Sequence, residues 1–295
     1  SKKVAFDDKY QAAIVEEEYF ESRPNIMQQT SKGFEFADEP AYYKLRVQLY
    51  VELEPMGYQV VSFEQSDVEL PSFVMKEAVE INNEFLKLSY VDGKFNLQSA
   101  TTSYENIVQI LDAANDGDTY DYSPLRGDEE ITLDLIGEVS VATTSLSQKI
   151  ELRGSWELPY DLDDRVSDSP NKKEVPYILT LSLDKGSKVL NGKLVVDNTI
   201  LSHRLRLSIQ TGVFSEDTIA QIQGGFWKTY NLEISDNWEE EFVEKPVNIY
   251  NLDKAVGVKD SITKQGVFVF VKGMKEYERV DDKLCYINGY DRPTR

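Results

Sequence analysis

Between residues 45 and 53 every second position is apolar: Leu45, Val47, Leu49, Val51 and Leu53 alternate with polar neighbours. A period of two is that of a strand with one face buried. Pro55-Met56-Gly57-Tyr58 ends the run, and Val60, Val61 and Phe63 open the next. Further along, Phe85 to Val91 and Phe95 to Leu97 flank Asp92-Gly93-Lys94, a two-strand pattern with Asp-Gly at the turn. Short strands are expected at 131–135, 139–143, 147–153, 177–183, 194–198, 204–209 and 266–271, and helical periodicity never runs long enough to compete. Residues 160–176 carry Asp161, Asp163, Asp164, Asp168, Pro170 and Lys172 and read as an exposed loop. Residues 1–40 are acidic and poorly periodic. There Ala12-Ala13-Ile14-Val15-Glu16-Glu17-Glu18 suits a strand or a helical turn, and the choice stays open.

A polar, Pro-containing stretch at 64–78 places a boundary near residue 75. The expected organisation is an N-terminal β segment with its linker over 1–75 and a large all-β domain over 76–295. About 220 residues of short antiparallel strands call for two large packed sheets, since an immunoglobulin-like sandwich needs only about 100.

Composition narrows the partners. The 295 residues carry a formal charge of −20. That disfavours a nucleic-acid backbone or an anionic membrane surface as partner. No window approaches an uninterrupted membrane-spanning apolar run. With one cysteine, Cys285, no internal disulfide can form, and a cytoplasmic home is expected.

His203 is the single histidine, set in the alternating segment Ile200 to Leu207, where it is expected to be a hydrogen-bonded structural residue. One His and one Cys cannot compose a zinc site of the usual kind, and no Gly-x-Ser-x-Gly nucleophile elbow occurs. Trp156, Trp227 and Trp238 are expected in the core, with a sugar platform as the alternative.

The densest chemistry lies in Asn115-Asp116-Gly117-Asp118-Thr119-Tyr120-Asp121-Tyr122-Ser123-Pro124. Asn-Asp-Gly supplies turn chemistry, and Tyr120 and Tyr122 alternate at strand spacing. Phenols on such a loop can cover the apolar face of a pyranose and hydrogen-bond its hydroxyls, or simply pack across strands. As a calcium loop the segment fails: Ala114 would replace an oxygen ligand and Ser123 the closing Glu.

Several stations along the chain together carry a resemblance. Leu53-Glu54-Pro55-Met56-Gly57-Tyr58 and Asn83-Glu84-Phe85-Leu86-Lys87-Leu88 are similar to segments of the bacterial glycoside hydrolase family 38 α-mannosidases, in the β-rich region that follows their catalytic domain. Asp116 to Pro124 resembles that family's Gly-Asp-x-Tyr-x-Tyr-Ser-Pro segment. Val196-Asp197-Asn198, His203-Arg204-Leu205-Arg206 and Gly273-Met274-Lys275-Glu276-Tyr277-Glu278 resemble later stations in the same order. The likeness covers roughly residues 45–290.

It implies a β-supersandwich related to the galactose mutarotase fold, truncated at its C-terminus, from an enzyme that hydrolyses α-mannosides with retention. It further implies that the nucleophile, the acid and a zinc ion belong to an N-terminal catalytic domain outside this chain. No catalytic residue, metal ligand or cofactor is then expected here. The implied partners are that domain and an α-mannoside, with a homo-oligomer possible. Tyr120 is implied to hydrogen-bond the bound mannose, with Asp118 and Asp121 shaping the loop and Tyr122 behind it. The alternative is a stand-alone carbohydrate-binding or scaffold module. A mutarotase-type epimerase would require a His acid, and His203 in an alternating strand supports that poorly.

Overall fold

The computed structural model describes residues 2–117, 122–213, 215, 217–243, 246–280 and 283–287. Over them the chain is almost wholly antiparallel β, the class that the alternating pattern requires. It forms two compact units, one of residues 1–85, 140–151 and 181–192, the other of residues 86–139, 152–180 and 193–295.

In the first unit, strand Gln11–Phe20 pairs with Tyr42–Tyr50 in a long ribbon, with a bulge between Ile14 and Glu16. This settles the open reading of residues 12–18 as a strand. Its acidic run is stabilised across the ribbon and beyond it: Glu16 meets Arg46 at 3.1 Å, Glu17 meets Lys2 at 2.8 Å, and Glu18 lies 3.9 Å from Lys44. Opposed rings add to the pairing, with Phe20 stacked on Tyr42 at 4.9 Å and Tyr19 tilted against Tyr43 at 5.0 Å. A second ribbon, Arg23–Thr30 with Gly33–Glu39, leaves Met27, Phe34 and Phe36 exposed.

The second unit contains the hairpin read from the sequence. Strands Leu86–Val91 and Lys94–Ser99 meet through Asp92 and Gly93, at φ of 49° and 75°, the left-handed pair that a two-residue hairpin turn requires. Here too lies a six-stranded antiparallel sheet of described residues. Its order is Ile131–Leu133, Val108–Ala114, His203–Gln210, Lys283–Ile287, Glu276–Val280 and Ile249–Asn251. A core of Val213, Ala220, Leu252, Val256, Val258 and Tyr277 includes one polar knot. The Tyr277 hydroxyl lies 2.6 Å from that of Thr229 and 3.0 Å from that of Thr218, so its burial leaves no orphan.

The segment after Ile131–Leu133 lacks strand partners for its carbonyls, and aromatic side chains replace them. Trp156 donates to the carbonyl of Asp134 at 2.8 Å, Tyr90 to Leu135 at 2.6 Å and Tyr177 to Ile136 at 3.0 Å. Trp156 and Tyr177 also stack at 4.0 Å. The loop expected over 160–176 needs correction. Asp161 caps a single helical turn, Leu162–Arg165, by accepting the Leu162 N–H at 2.8 Å, and strand Lys172–Asp184 begins well before residue 176. That turn points an arginine inward, which an exposed loop would not do.

Gly154 lets the Tyr177 ring approach: a Cβ there would lie 2.7 Å from Tyr177 Oη and press on the Ile136 carbonyl. Gly154→Ala is expected to cost about 1–3 kcal/mol, read from the denaturant midpoint. Burial pushes the Tyr177 phenol up from 10.0 to about 12. The folded state therefore keeps a proton that the unfolded state releases. Stability is whole below pH 10 and declines as pH rises to about 12. Tyr177→Phe should flatten that alkaline limb in unfolding measurements.

Candidate functional site

The loop Asn115 to Pro124 leaves strand Val108–Ala114, whose antiparallel partner is His203–Gln210 in the register Ala114↔His203, Ala113↔Arg204, Asp112↔Leu205 and Leu111↔Arg206. Directly opposed residues share a face, so His203 and Asp112 lie on one side of the sheet and Arg204 and Arg206 on the other. Both sides therefore bury charge at the base of the loop.

On the first side, Asp112 is fully buried and His203 nearly so, with His203 Nδ1 2.6 Å from Asp112 Oδ1 and Nε2 3.1 Å from Asn198 Oδ1. The Asn198 oxygen also accepts the Ile200 N–H at 3.3 Å. Both ring nitrogens are thus engaged by side-chain oxygens. Arg165, delivered by the helical turn, brings Nη2 to 2.7 Å from Asp112 Oδ2, within ion-pair range though off the hydrogen-bond direction. Its Nη1 lies 3.8 Å from Asp128, which in turn accepts the Ala114 N–H at 2.7 Å.

On the second side Arg206 is held by Glu130 and Glu278. Arg204 lies over a ring, its guanidinium carbon 3.6 Å from the Tyr122 centroid, and 4.0 Å from Glu130. Burial, and then the neighbouring Arg206, pull Arg204 below the usual arginine range. Burial likewise raises the Tyr122 phenol. The stem of the loop is held by backbone hydrogen bonds: Asn115 N–H donates to Ser202 O, just before the partner strand, and Asp116 N–H to Ser123 O, each at 2.8 Å. Asn115 Oδ1 accepts from Gly117 and Ser123 at 3.1 and 3.3 Å.

Of the residues singled out from the sequence, Tyr122 sits half-buried on Arg204. Tyr120, Asp118 and Asp121 lie outside the described residues. His203 is hydrogen-bonded and structural, as its setting suggested. Sequence reasoning missed Asp112, Asp128, Glu130, Arg165, Arg204 and Arg206. The available signal was the alternation Arg204-Leu205-Arg206, which places two cations on one strand face. Among the tryptophans Trp156 is buried, whereas Trp227 is 64% exposed beside exposed Phe226, and so departs from the core expectation.

The arrangement braces the base of the loop with buried charge. Asp112 and His203 are 0% and 3% exposed. The described residues bring together no group of His, Cys, Asp and Glu fit to hold a metal ion.

An antiparallel β protein with a polar loop braced by buried charge is thus what fold and site define. No protein-family model matches the sequence, and no curated protein does. Solved structures do. Over 96% of its length the chain superposes on 34% of an α-mannosidase from Enterococcus faecalis V583, with a TM-score of 0.71 and 17% identity. A protein of glycosyl hydrolase family 38 from Enterococcus faecalis gives 0.68 and 18%, with 96% of this chain on 35% of that one. The fold is shared, and the chain spans about a third of the length of these structures. Among the described residues no helix is long and apolar enough to cross a membrane.

His203→Ala would deprive the buried Asp112 carboxylate of its closest partner. The expected loss is about 3–5 kcal/mol of folding stability, measured as a lower denaturant midpoint at unchanged m.

Proposed function

We propose that this chain is the non-catalytic β portion of an α-mannosidase, a retaining glycoside hydrolase, and that it contributes a substrate-contacting loop. The observation that carries this is the match of 96% of the chain to two structures, one an α-mannosidase and the other assigned to glycosyl hydrolase family 38. The ordered stations from Leu53 to Glu278 support it from the sequence side. In this reading Tyr120 donates a hydrogen bond to the sugar, Asp118 and Asp121 shape the turn that presents it, and Tyr122 supports it from behind. The nucleophile, the general acid and the zinc ion belong to the catalytic domain, which is the chain's partner. By itself the chain hydrolyses no glycoside.

A second reading, a stand-alone carbohydrate-binding module, is favoured by exposed Phe226, Trp227 and Tyr230 on the edge strand Gly225–Tyr230. Titration of the isolated chain with α-mannosides separates the two. Affinity supports the module, and its absence supports the mannosidase portion.

In the intact enzyme Tyr120→Phe should lower kcat/KM for an aryl α-mannoside roughly tenfold, the loss of one hydrogen bond worth about 1 kcal/mol or more. An unchanged kcat/KM would remove Tyr120 from the site.

A further inference from the structure

We propose that the notch between the Asp92-Gly93 hairpin turn and residues 132–136 binds a neutral polyhydroxylated ring, of the size and chemistry of one sugar. The site goes beyond the α-mannosidase reading and does not depend on it. Gln109, which lines the notch, and Ala114, where the loop begins, are five residues apart on one strand, or about 17 Å.

The way the edge strand ends creates the space. Strand Ile131–Leu133 pairs with Val108–Ala114 only as far as Ile110↔Leu133. Beyond that point the carbonyls of Asp134, Leu135 and Ile136 accept from Trp156, Tyr90 and Tyr177, and the ladder beside Val108 and Gln109 stops on that side. A cavity of about 180 Å³ is left there. It has room for about six waters, or for one six-membered sugar ring. Its walls are held in place. Asp92 and Gly93 form the left-handed turn, and Asn106, at φ 49°, has its N–H bonded to Asn96 Oδ1 at 2.9 Å.

The lining selects among ligands. Gln109 Oε1 is sealed from solvent and meets no hydrogen-bond partner among the described residues. An acceptor in that state is destabilising unless a donor reaches it from the cavity. Asp92, Thr132 and Asp134 add oxygens at the exposed rim, while Lys94 and Asn106 add N–H donors. A hydroxyl donates and accepts at one atom, so a ring carrying several answers both kinds of side chain. Ile136, 65% exposed, offers an apolar surface to the C–H side of such a ring. An anion is disfavoured by two carboxylates against one lysine, in a chain of charge −20. A metal ion is disfavoured because the described residues bring together no group of three or more His, Cys, Asp or Glu, and Lys94 lines the same space.

Titration of the 295-residue chain with D-mannose, D-glucose, glycerol and calcium chloride, followed by amide NMR shifts, tests the site. At least one hexose is expected to give saturable shifts at Gly93, Asn106 and the Gln109 side-chain amide with a millimolar Kd, and glycerol none. Gln109→Leu should weaken that binding about tenfold, and Asp134→Ala several-fold. Asp134 is exposed and its carbonyl contact survives the change, so Asp134→Ala carries the test if Gln109→Leu does not fold. Absence of saturable shifts with both hexoses overturns the proposal and leaves a notch filled by water. An equal response to glycerol overturns it as a cleft for any polyol, and a response to calcium alone reassigns the notch to a cation. Sugar shifts that survive Gln109→Leu and lie at Gly225–Tyr230 belong to the edge-strand platform of the second reading, and they overturn this site as well. Tyr120→Phe in the intact enzyme tests the α-mannosidase reading separately, so failure of either leaves the other standing.

Discussion

One strand register, Val108–Ala114 against His203–Gln210, is the constraint on which the rest of the second unit depends. It sorts four ionisable side chains onto two sheet faces, Asp112 with His203 on one and Arg204 with Arg206 on the other. A slip by one residue would exchange every side chain between faces. Asp112 would lose Arg165 and His203, Arg206 would lose Glu130 and Glu278, and each would remain buried with its charge unanswered. Apolar side chains alone tolerate some slippage, whereas buried charges do not. The ionic layer therefore specifies this pairing beyond what Ile110 and Leu207 could do by packing.

That same register carries the function proposed for the chain. The loop Asn115 to Pro124 begins where the register ends, and its stem is pinned by backbone bonds to Ser202 and Ser123. Beneath it, Asp128 holds the last strand N–H, and Arg204 holds the ring of Tyr122. Binding groups work only when their geometry is held by packing and hydrogen bonds behind them. Here the support at the base of the loop is made of charge sealed from solvent.

Elsewhere the unit solves a quieter problem by the same economy of partners. Carbonyls 134, 135 and 136 fall outside the ladder, and Trp156, Tyr90 and Tyr177 each supply a side-chain donor. The aromatic content that suggested sugar contacts from the sequence is in part this: rings that fill a core while their polar ends satisfy irregular backbone.

Alternation by itself determined much. The β class, a strand over the first part of 45–53, which ends at Tyr50 and not at Leu53, the Asp92-Gly93 hairpin and the paucity of helix follow from a period of two and a left-handed turn, both local properties of the chain. The structural character of His203 followed from its lack of possible co-ligands. Whether residues 12–18 form a strand was not legible, because the partners Arg46 and Lys44 come from the strand Tyr42–Tyr50, well separated in sequence. Arg165 was misplaced in an exposed loop for a related reason, since its burial is set by Asp112, distant in sequence. Arg204 and Arg206 read locally as the wet face of a strand, the usual meaning of alternating cations. Only the tertiary structure decided that this face is buried, because burial and charge pairing are made by elements that sequence separates and the fold brings together.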